Sequence, residues 1–374
     1  MTLSSDEKER YSRHLLMKEV GESGQQKLKS SRVLVVGAGG LGCPALQYLA
    51  AAGVGTLGVM DFDVVEVSNL QRQILFTIAD IGKPKATCAA EKLKALNPHI
   101  LIKAINEKLT VKNIRRVVEE FDIIVDGTDN FMTRYLINDG CVLSGKPYVF
   151  GSLYKFSGQV AVFNQLLPDG WRSANYRTVF PEPPALGSVA DCAEAGVLGA
   201  VAGIVGTIQA TETLKLILGV GNTLAGKLLL IDTMKPEFNL LDIPPQNEFP
   251  AGAPETWEAL ELFDYEYFCN MKTATQMIDT KELETMLASG KPLQVVDVRE
   301  DWEYEETEGL PAISISLYEL KDKISQLDTS VPIVVVCAEG KRSSLAVKVL
   351  QDSGITNVMS LNGGLKAWNA RQKA

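Results

Sequence analysis

A short β-branched run, Arg32-Val33-Leu34-Val35-Val36, ends at Gly37-Ala38-Gly39-Gly40-Leu41-Gly42, and a helical pattern from Pro44 to Ala51 succeeds it. No other feature limits the fold as tightly. A G-x-G-x-x-G turn between strand and helix lets a phosphate approach backbone N–H groups at the positive end of the helix. Asp61 closes the next strand-like run, Leu57 to Met60, 24 residues after Gly37, where a carboxylate can accept hydrogen bonds from ribose hydroxyls. Turn and acid together fit a nicotinamide or flavin enzyme as well as one that consumes ATP.

The alternation continues. Residues 7 to 28 predict helix, Ile100 to Asn106 and Phe121 to Val125 predict strands, and Lys85 to Leu96 and Asn113 to Glu120 predict helices between them. This order belongs to a mainly parallel sheet with helices on both faces. Pro147 to Phe150 and Gln159 to Phe163 read as strands with a tighter connection, so an antiparallel portion is expected. A proline-rich stretch near residue 241 has neither period and marks a linker. Beyond it a second series begins, with strands at Leu293 to Val298, Ile333 to Cys337 and Val358 to Leu361, a helix from Ser343 to Ser353, and a last helix containing Trp368. The expected organisation is a domain over 1–240, a linker over 241–270 and a small α/β domain over 271–374.

Composition removes several classes. The net charge of −9 argues against nucleic acid or an anionic membrane as partner. Two histidines, His14 and His99, exclude a His-rich metal site. Six cysteines in 374 residues do not make a disulfide scaffold. The polar N-terminus, MTLSSDEKER, shows no secretory signal, so a cytoplasmic location is expected. The longest apolar run, Val197 to Leu218, contains Glu212 and Lys215 together with Gly199, Gly203 and Gly206. That pattern suits a core helix with a small-residue face better than a membrane span.

The residues beyond the glycine turn favour nucleotidyl transfer. Asp61-Phe62-Asp63-Val64-Val65-Glu66-Val67-Ser68-Asn69-Leu70-Gln71-Arg72-Gln73 is succeeded by Gly82-Lys83-Pro84-Lys85, then by Asp126-Gly127-Thr128-Asp129-Asn130 and Arg134. Hydride transfer has little use for several cations near the phosphates and an acid after a later strand. Attack at an α-phosphate does, because the charge that develops there can be met by Arg, Lys and a carboxylate-held Mg²⁺.

With Arg10-Tyr11-Ser12-Arg13 and Cys192-Ala193-Glu194-Ala195-Gly196-Val197 added, residues 1 to about 240 resemble the MoeB/ThiF/HesA family, bacterial relatives of ubiquitin-activating enzymes. The resemblance implies a Rossmann-like fold and adenylylation of the C-terminal glycine of a ubiquitin-like sulfur carrier of the MoaD or ThiS kind, with products in molybdopterin, thiamin or tRNA thiolation. It gives Asp61 the ribose and Asp129 the Mg²⁺. It turns Asn69, Arg72 and Lys85 toward the phosphates and sends Arg13 into a neighbouring subunit's ATP site, which implies a homodimer. Gly37, Gly39, Gly40, Gly42, Asp63, Gln73 and Asn130 complete the expected nucleotide site. The less specific readings are a solvated helix start for Lys85 and a surface ion pair for Arg134. Many family members hold zinc through two C-x-x-C pairs. Here Asn175-Tyr176-Arg177-Thr178 replaces the first and no cysteine stands at the second, so no zinc is expected.

In the second half an apolar strand, Val331 to Val336, runs into Cys337-Ala338-Glu339-Gly340-Lys341-Arg342-Ser343 ahead of a helix. Backbone N–H groups, the helix dipole and two cations would each favour an anionic sulfur there. This loop, Val296-Asp297-Val298-Arg299-Glu300 and Leu361-Asn362-Gly363-Gly364-Leu365 resemble a rhodanese domain, although Glu308 to Ile313 lacks the usual His and second Gly. The resemblance makes Cys337 a persulfide carrier within a loop of Gly340, Lys341, Arg342 and Ser343, loaded by a cysteine desulfurase or thiosulfate. Cys192 stands where some relatives place a resolving thiol and others a structural one; Cys43, Cys88, Cys141 and Cys269 read as packing residues. The rival readings are an NAD-dependent oxidoreductase and an inactive carrier-binding protein.

Overall fold

The structure is a computed structural model that describes residues 2–184, 196–244, 252–269 and 276–372. The chain divides into two compact units, one closing at Tyr265 and the other made chiefly of Glu266 onward.

The first unit is built on an eight-stranded sheet in the order β3-β2-β1-β4-β5-β6-β7-β8. Its strands are β1 (Arg32–Val36), β2 (Thr56–Met60), β3 (Leu101–Ile105), β4 (Ile123–Asp126), β5 (Tyr148–Tyr154), β6 (Ser157–Phe163), β7 (Lys227–Asp232) and β8 (Glu237–Asp242). The first five run parallel, and β5 through β8 pair antiparallel. The antiparallel part agrees with expectation and extends beyond it, to β7 and β8. Val36 is level with both Met60 and Asp126, so the segments leaving β1, β2 and β4 share one edge. β1 lies between β2 and β4, at the reversal of strand order where open α/β sheets form their binding crevice.

The apolar helix Gly199–Leu218 is a core element, in keeping with its glycines and its one acid. Glu212 accepts from Leu224 N–H at 2.7 Å and pairs with Lys215. Gly206 allows this packing, because a Cβ there would sit 2.4 Å from the Leu41 carbonyl oxygen. The helix Gly42–Ala52, which continues from the glycine turn, is thereby pressed onto the sheet. The single helix predicted over 7–28 is three pieces, Ser5–Arg10, Ser12–Leu15 and Gly21–Ser30. Tyr11 leaves helical geometry (ψ 14°) and is buried, its hydroxyl accepting from Asn97 Nδ2 at 2.8 Å.

The expected linker over 241–270 needs correction in its described part. Residues 241 and 242 complete β8, Thr256 caps the helix Trp257–Leu262, and Leu260 and Tyr265 are buried. Prolines mask the apolar spacing of Trp257, Leu260, Phe263 and Tyr265, which docks the segment on the first unit.

The second unit carries a five-stranded parallel sheet, β11-β10-β12-β13-β9, from β9 (Gln276–Ile278), β10 (Gln294–Asp297), β11 (Ala312–Ser314), β12 (Ile333–Val336) and β13 (Val358–Leu361). The central strand β12 delivers Cys337 at its C-terminal end. Trp368 is 1% exposed and donates its indole N–H to the Glu308 carbonyl at 3.3 Å, anchoring the last helix.

One acid fixes the loop that leads into the Lys85 helix. Asp80 Oδ2 accepts from Thr77 N–H at 2.7 Å and Thr77 Oγ1 at 2.8 Å, and lies 2.6 Å from Lys92 Nζ. Lys92 beside it holds the carboxyl down to about 2. A value below that of the unfolded chain means stabilisation that is present above about pH 4 and lost as pH falls toward 2. Asp80→Asn is therefore expected to lower the melting temperature at pH 7 by roughly 2–4 °C, with the gap closing toward pH 3. Equal gaps at both pH values would deny the ion pair its role.

Candidate active sites

An open cleft lies over the end of β1, lined among others by Gly37, Asp61, Arg72, Lys85 and Asp129. Gly37 has φ +93°, and a Cβ there would lie 2.7 Å from the Gly127 carbonyl oxygen, so only glycine fits this turn. Asp61 fastens the turn to β2: its Oδ2 accepts from Ala38 N–H and its Oδ1 from Asp63 N–H, each at 2.8 Å. Burial raises its carboxyl, and the two backbone donors pull the other way. A carboxylate has about four lone-pair positions, so two remain for ribose hydroxyls. Beneath the turn, Cys43 donates to the Ala38 carbonyl at 3.3 Å; burial pushes its thiol up to about 12, so it packs and does not react.

Lys85 opens its helix but is only 6% exposed, which disposes of the solvated reading. Its Nζ lies 3.3 Å from Asp63 Oδ2. Arg72 is half-buried and bonds the Ser68 carbonyl through Nη1 at 3.1 Å. Gln73 is buried against the cleft, and its Oε1 has no partner among the described residues. Asn130 accepts from Thr133 N–H at 2.9 Å and caps the helix Phe131–Ser144. Just before it, Asp129 is exposed on the cleft and has no hydrogen bond or ion pair among the described residues.

Gly39, Gly40, Asp63, Gln73 and Asn130 thus share one cleft with Asp61, Arg72, Lys85 and Asp129. Three expected residues are placed elsewhere. Asn69 is buried and closes its own turn, accepting from Glu66 N–H at 3.2 Å. Its carbonyl receives the N–H groups of Arg72 and Gln73, so it shapes the loop that carries them. Gly42 is buried behind the turn. Arg13 is exposed on the helix Ser12–Leu15, away from the cleft. Cys192 lies outside the described residues.

Sequence pattern misses the support beneath Asp129. Asp126 is fully buried, with its carboxyl raised by burial, and its Oδ1 accepts from Thr128 N–H at 2.9 Å and Thr128 Oγ1 at 2.6 Å. Arg134 is 7% exposed, too buried for a surface ion pair; it donates to the Thr128 carbonyl at 2.9 Å, with Nε 3.8 Å from Asp126 Oδ2. Gln209 reaches from the core helix to the Asp126 carbonyl at 2.7 Å. Its one sequence signal is a lone amide in an apolar run.

These groups fit ATP and a metal ion. Two cations beside a glycine turn suit phosphates, while a partnerless buried amide oxygen and an exposed carboxylate without a counter-ion suit one hard cation. Such a cation is usually held by one or two carboxylates plus substrate oxygens. Asn175 and Thr178, at the positions where many family members have zinc-binding cysteines, form a capping box around a short helix. No group of three metal-ligating side chains occurs among the described residues.

In the second unit, Cys337 is 1% exposed and its Sγ accepts from Gly340 N–H at 3.2 Å and Ser343 N–H at 3.3 Å. Gly340 adopts φ +91° to aim its N–H inward. Ser343 Oγ lies 3.6 Å from the sulfur and 2.8 Å from Ser360 Oγ. Arg342 lies 2.6 Å from Glu303, and burial raises the Glu300 carboxyl nearby. Arg342 is thus held in an ion pair, and the Cys337 sulfur accepts from two backbone N–H groups of the loop.

Comparison with known proteins places both units. Residues 11–250 match the ThiF family model, and residues 279–371 match the rhodanese-like domain. The chain belongs to the ThiF family. It is 43% identical over 98% of its length to the probable adenylyltransferase/sulfurtransferase MoeZ of Mycobacterium tuberculosis, covering 94% of that protein. It is 40% identical over 98% of its length to the adenylyltransferase and sulfurtransferase MOCS3 of Anopheles gambiae, covering 87% of it. Against the sulfur carrier protein adenylyltransferase of Thermus thermophilus it is 47% identical over 73% of this chain and 100% of that one. The fold of the ThiF unit also matches E. coli MccB solved with AMPCPP and MccA, with a TM-score of 0.55, 21% identity, and coverage of 64% of this chain and 72% of MccB. The expected Rossmann-like mixed sheet and smaller rhodanese-like domain both stand.

Proposed function

We propose that the ThiF unit adenylylates the C-terminal glycine of a ubiquitin-fold sulfur carrier and that the rhodanese-like unit then sulfurates it. The observation that carries this reading is the convergence of Asp61, Arg72, Lys85 and Asp129 on one cleft in a chain that also presents Cys337 in an anion-holding loop. Full-length relatives named for both transferase activities support it. An oxidoreductase would leave Arg72, Lys85, Asp129 and the second unit without a task. None of the ATP-site residues carried over from the family is substituted, which weighs against a dead site.

In the first step a carboxylate oxygen of the carrier attacks the α-phosphorus. The bond from that phosphorus to the bridging oxygen breaks, and pyrophosphate leaves an acyl-adenylate. Arg72 and Lys85 meet the charge that develops on the phosphates, and Gln73 offers its amide to the same region. Asp129 is the residue that would hold Mg²⁺, whose charge offsets that of the phosphates. In the second step the outer sulfur of a Cys337 persulfide attacks the acyl carbon and AMP departs. The resulting acyl disulfide is cut by a second thiol, which forms a disulfide with Cys337 and releases the thiocarboxylate. Cys192 is the resolving thiol in this proposal, and an external thiol reduces the new disulfide. The Gly340 and Ser343 N–H groups hold the Cys337 sulfur in the last of these steps, when the external thiol bonds to Cys192 and Cys337 leaves as a thiolate.

The reading includes a homodimer in which Arg13 serves the partner's nucleotide, a cysteine desulfurase or thiosulfate as donor, and action in the cytoplasm. The nucleotide chemistry belongs to the unit that closes at Tyr265 and the sulfur chemistry to the unit made chiefly of Glu266 onward. It needs no zinc. Dialysis against EDTA is accordingly expected to leave the melting temperature unchanged and to release no zinc; a stoichiometric zinc would refute that part.

The test incubates the enzyme with ATP, Mg²⁺, a persulfide donor and ubiquitin-fold carriers ending in Gly-Gly, and weighs the carrier by mass spectrometry. Exchange of one oxygen for sulfur adds about 16 Da. Without carrier-dependent pyrophosphate exchange for any of them, the proposal falls.

A further inference from the structure

Behind the Cys337 sulfur lies a group of hydroxyls to which the loop motif assigns no task. Ser343 Oγ is 3.6 Å from Sγ, 3.1 Å from the Gly340 carbonyl oxygen and 2.8 Å from Ser360 Oγ. Ser344 Oγ donates to the same Gly340 carbonyl at 2.9 Å and lies 3.4 Å from Ser360 Oγ. Ser360 belongs to β13, level with Val335 of β12, and both Ser343 and Ser360 are 0% exposed. Its neighbours Val335, Val358 and Leu361 are apolar and equally buried. A hydroxyl in such surroundings is costly unless it is bonded, and each hydroxyl has one proton to give.

The distances decide which way these protons point. The Gly340 carbonyl has two lone pairs and three approaching donors, the Ser344 N–H at 3.2 Å among them. It does not need the Ser343 proton. Ser360 has two hydroxyl acceptors among the described residues, Ser343 Oγ at 2.8 Å and Ser344 Oγ at 3.4 Å. An O–H···O bond is usually shorter than about 3.0 Å, so Ser360 donates to Ser343. Ser343 accepts that proton and keeps its own for another partner. While Cys337 is a thiol, its S–H points at Ser343 Oγ and the Ser343 proton rests on the Gly340 carbonyl. Once the sulfur has no proton, the Ser343 O–H can turn onto it.

We propose that Ser360 is a positioning residue for sulfur discharge: it donates to Ser343 and so turns the Ser343 O–H onto Sγ whenever Cys337 leaves as a thiolate. This rests on the reading of Cys337 as a persulfide carrier. When a nucleophile bonds to the outer sulfur, the S–S bond breaks and its electron pair stays on Sγ. The thiolate then accepts from three donors, the Gly340 and Ser343 N–H groups and the Ser343 O–H. Donation from Ser360 polarises that O–H and strengthens it as a donor. The loop motif does not show this residue, because Ser360 reaches the loop from the neighbouring strand, 17 residues beyond Ser343.

The test needs neither carrier nor nucleotide. The full-length chain is loaded with inorganic polysulfide, and the peptide that holds Cys337 is weighed for one added sulfur, about 32 Da. Cyanide carbon then bonds to the outer sulfur, thiocyanate departs, and the second-order rate of that loss is read on the same peptide. Ser360→Ala is expected to discharge about fivefold more slowly, the scale of one neutral hydrogen bond, and Ser343→Ala about twentyfold, the scale of a bond to a charged acceptor. Ser360→Thr keeps the hydroxyl and stays within about twofold of wild type, whereas Ser360→Val, of the same shape without it, slows like the alanine. Combining Ser343→Ala with Ser360→Ala gives a rate no lower than Ser343→Ala alone, because Ser360 acts through Ser343. Discharge at the wild-type rate by Ser360→Ala overturns the proposal. So do equal rates for the threonine and valine variants, which would leave Ser360 a packing role, and so does further slowing in the double variant. A wild type whose Cys337 takes up no sulfur removes the persulfide reading and this inference together, whereas a wild type that loads and discharges confines any failure to this inference.

Discussion

Cys337→Ala is expected to reduce thiocarboxylate formation below about 1% of wild type while carrier-dependent pyrophosphate exchange continues unchanged, because the sulfur and the nucleotide are handled by different units of the chain. The alanine also removes the acceptor for two inward-facing N–H groups, those of Gly340 and Ser343. Leaving buried donors without a partner costs about 1–3 kcal/mol each, enough to loosen the loop. Cys337→Ser separates the effects, since its hydroxyl still accepts from the loop but forms no persulfide. Both variants should fail in transfer, with the serine protein melting closer to wild type. The thiol is 1% exposed, so the atom that meets the acceptor is the outer persulfide sulfur, about 2.05 Å farther out. Thiocarboxylate formed at the wild-type rate by Cys337→Ser would move the sulfur chemistry to another residue.

The parts legible in the sequence are those where one short segment does one job. The glycine turn, Asp61 and the loop around Cys337 each combine a strand end, a turn and a helix start within a dozen residues, so local pattern suffices. The parts that are not legible join distant segments. Asp126 and Arg134 are eight residues apart, but Gln209 joins them only because the core helix packs across β4 and β5, where its amide reaches the Asp126 and Val149 carbonyls. Its place in a motif turns Asn69 toward phosphate, whereas in the fold its side chain closes a turn and its backbone carries Arg72 and Gln73. The segment before Tyr265 resembles a linker for a similar reason: proline content is local, and the buried Asp139 carboxylate that captures the tyrosine lies 126 residues away.

Asp129→Ala is expected to lower carrier-dependent pyrophosphate exchange by about 10³-fold, the scale of losing one preorganised stabiliser of transition-state charge. The position argues for so large an effect. Asp129 is exposed on the cleft without a partner among the described residues, while the residue three before it, Asp126, is buried and bonded on one oxygen to Thr128. The buried acid shapes the loop and the exposed one is left to act. Removing an exposed, unpaired carboxylate breaks no internal bond, so the melting temperature should stay within about 1 °C of wild type, as for surface substitutions generally. Asp126→Asn should behave in the opposite way, lowering stability through the Thr128 and Arg134 contacts and lowering exchange only as far as the loop shifts. If Asp129→Ala instead kept most of its exchange activity while Asp126→Asn lost it, the acid that serves the phosphates would be the buried one, and Arg134, 3.8 Å from it, would be its partner in the reaction.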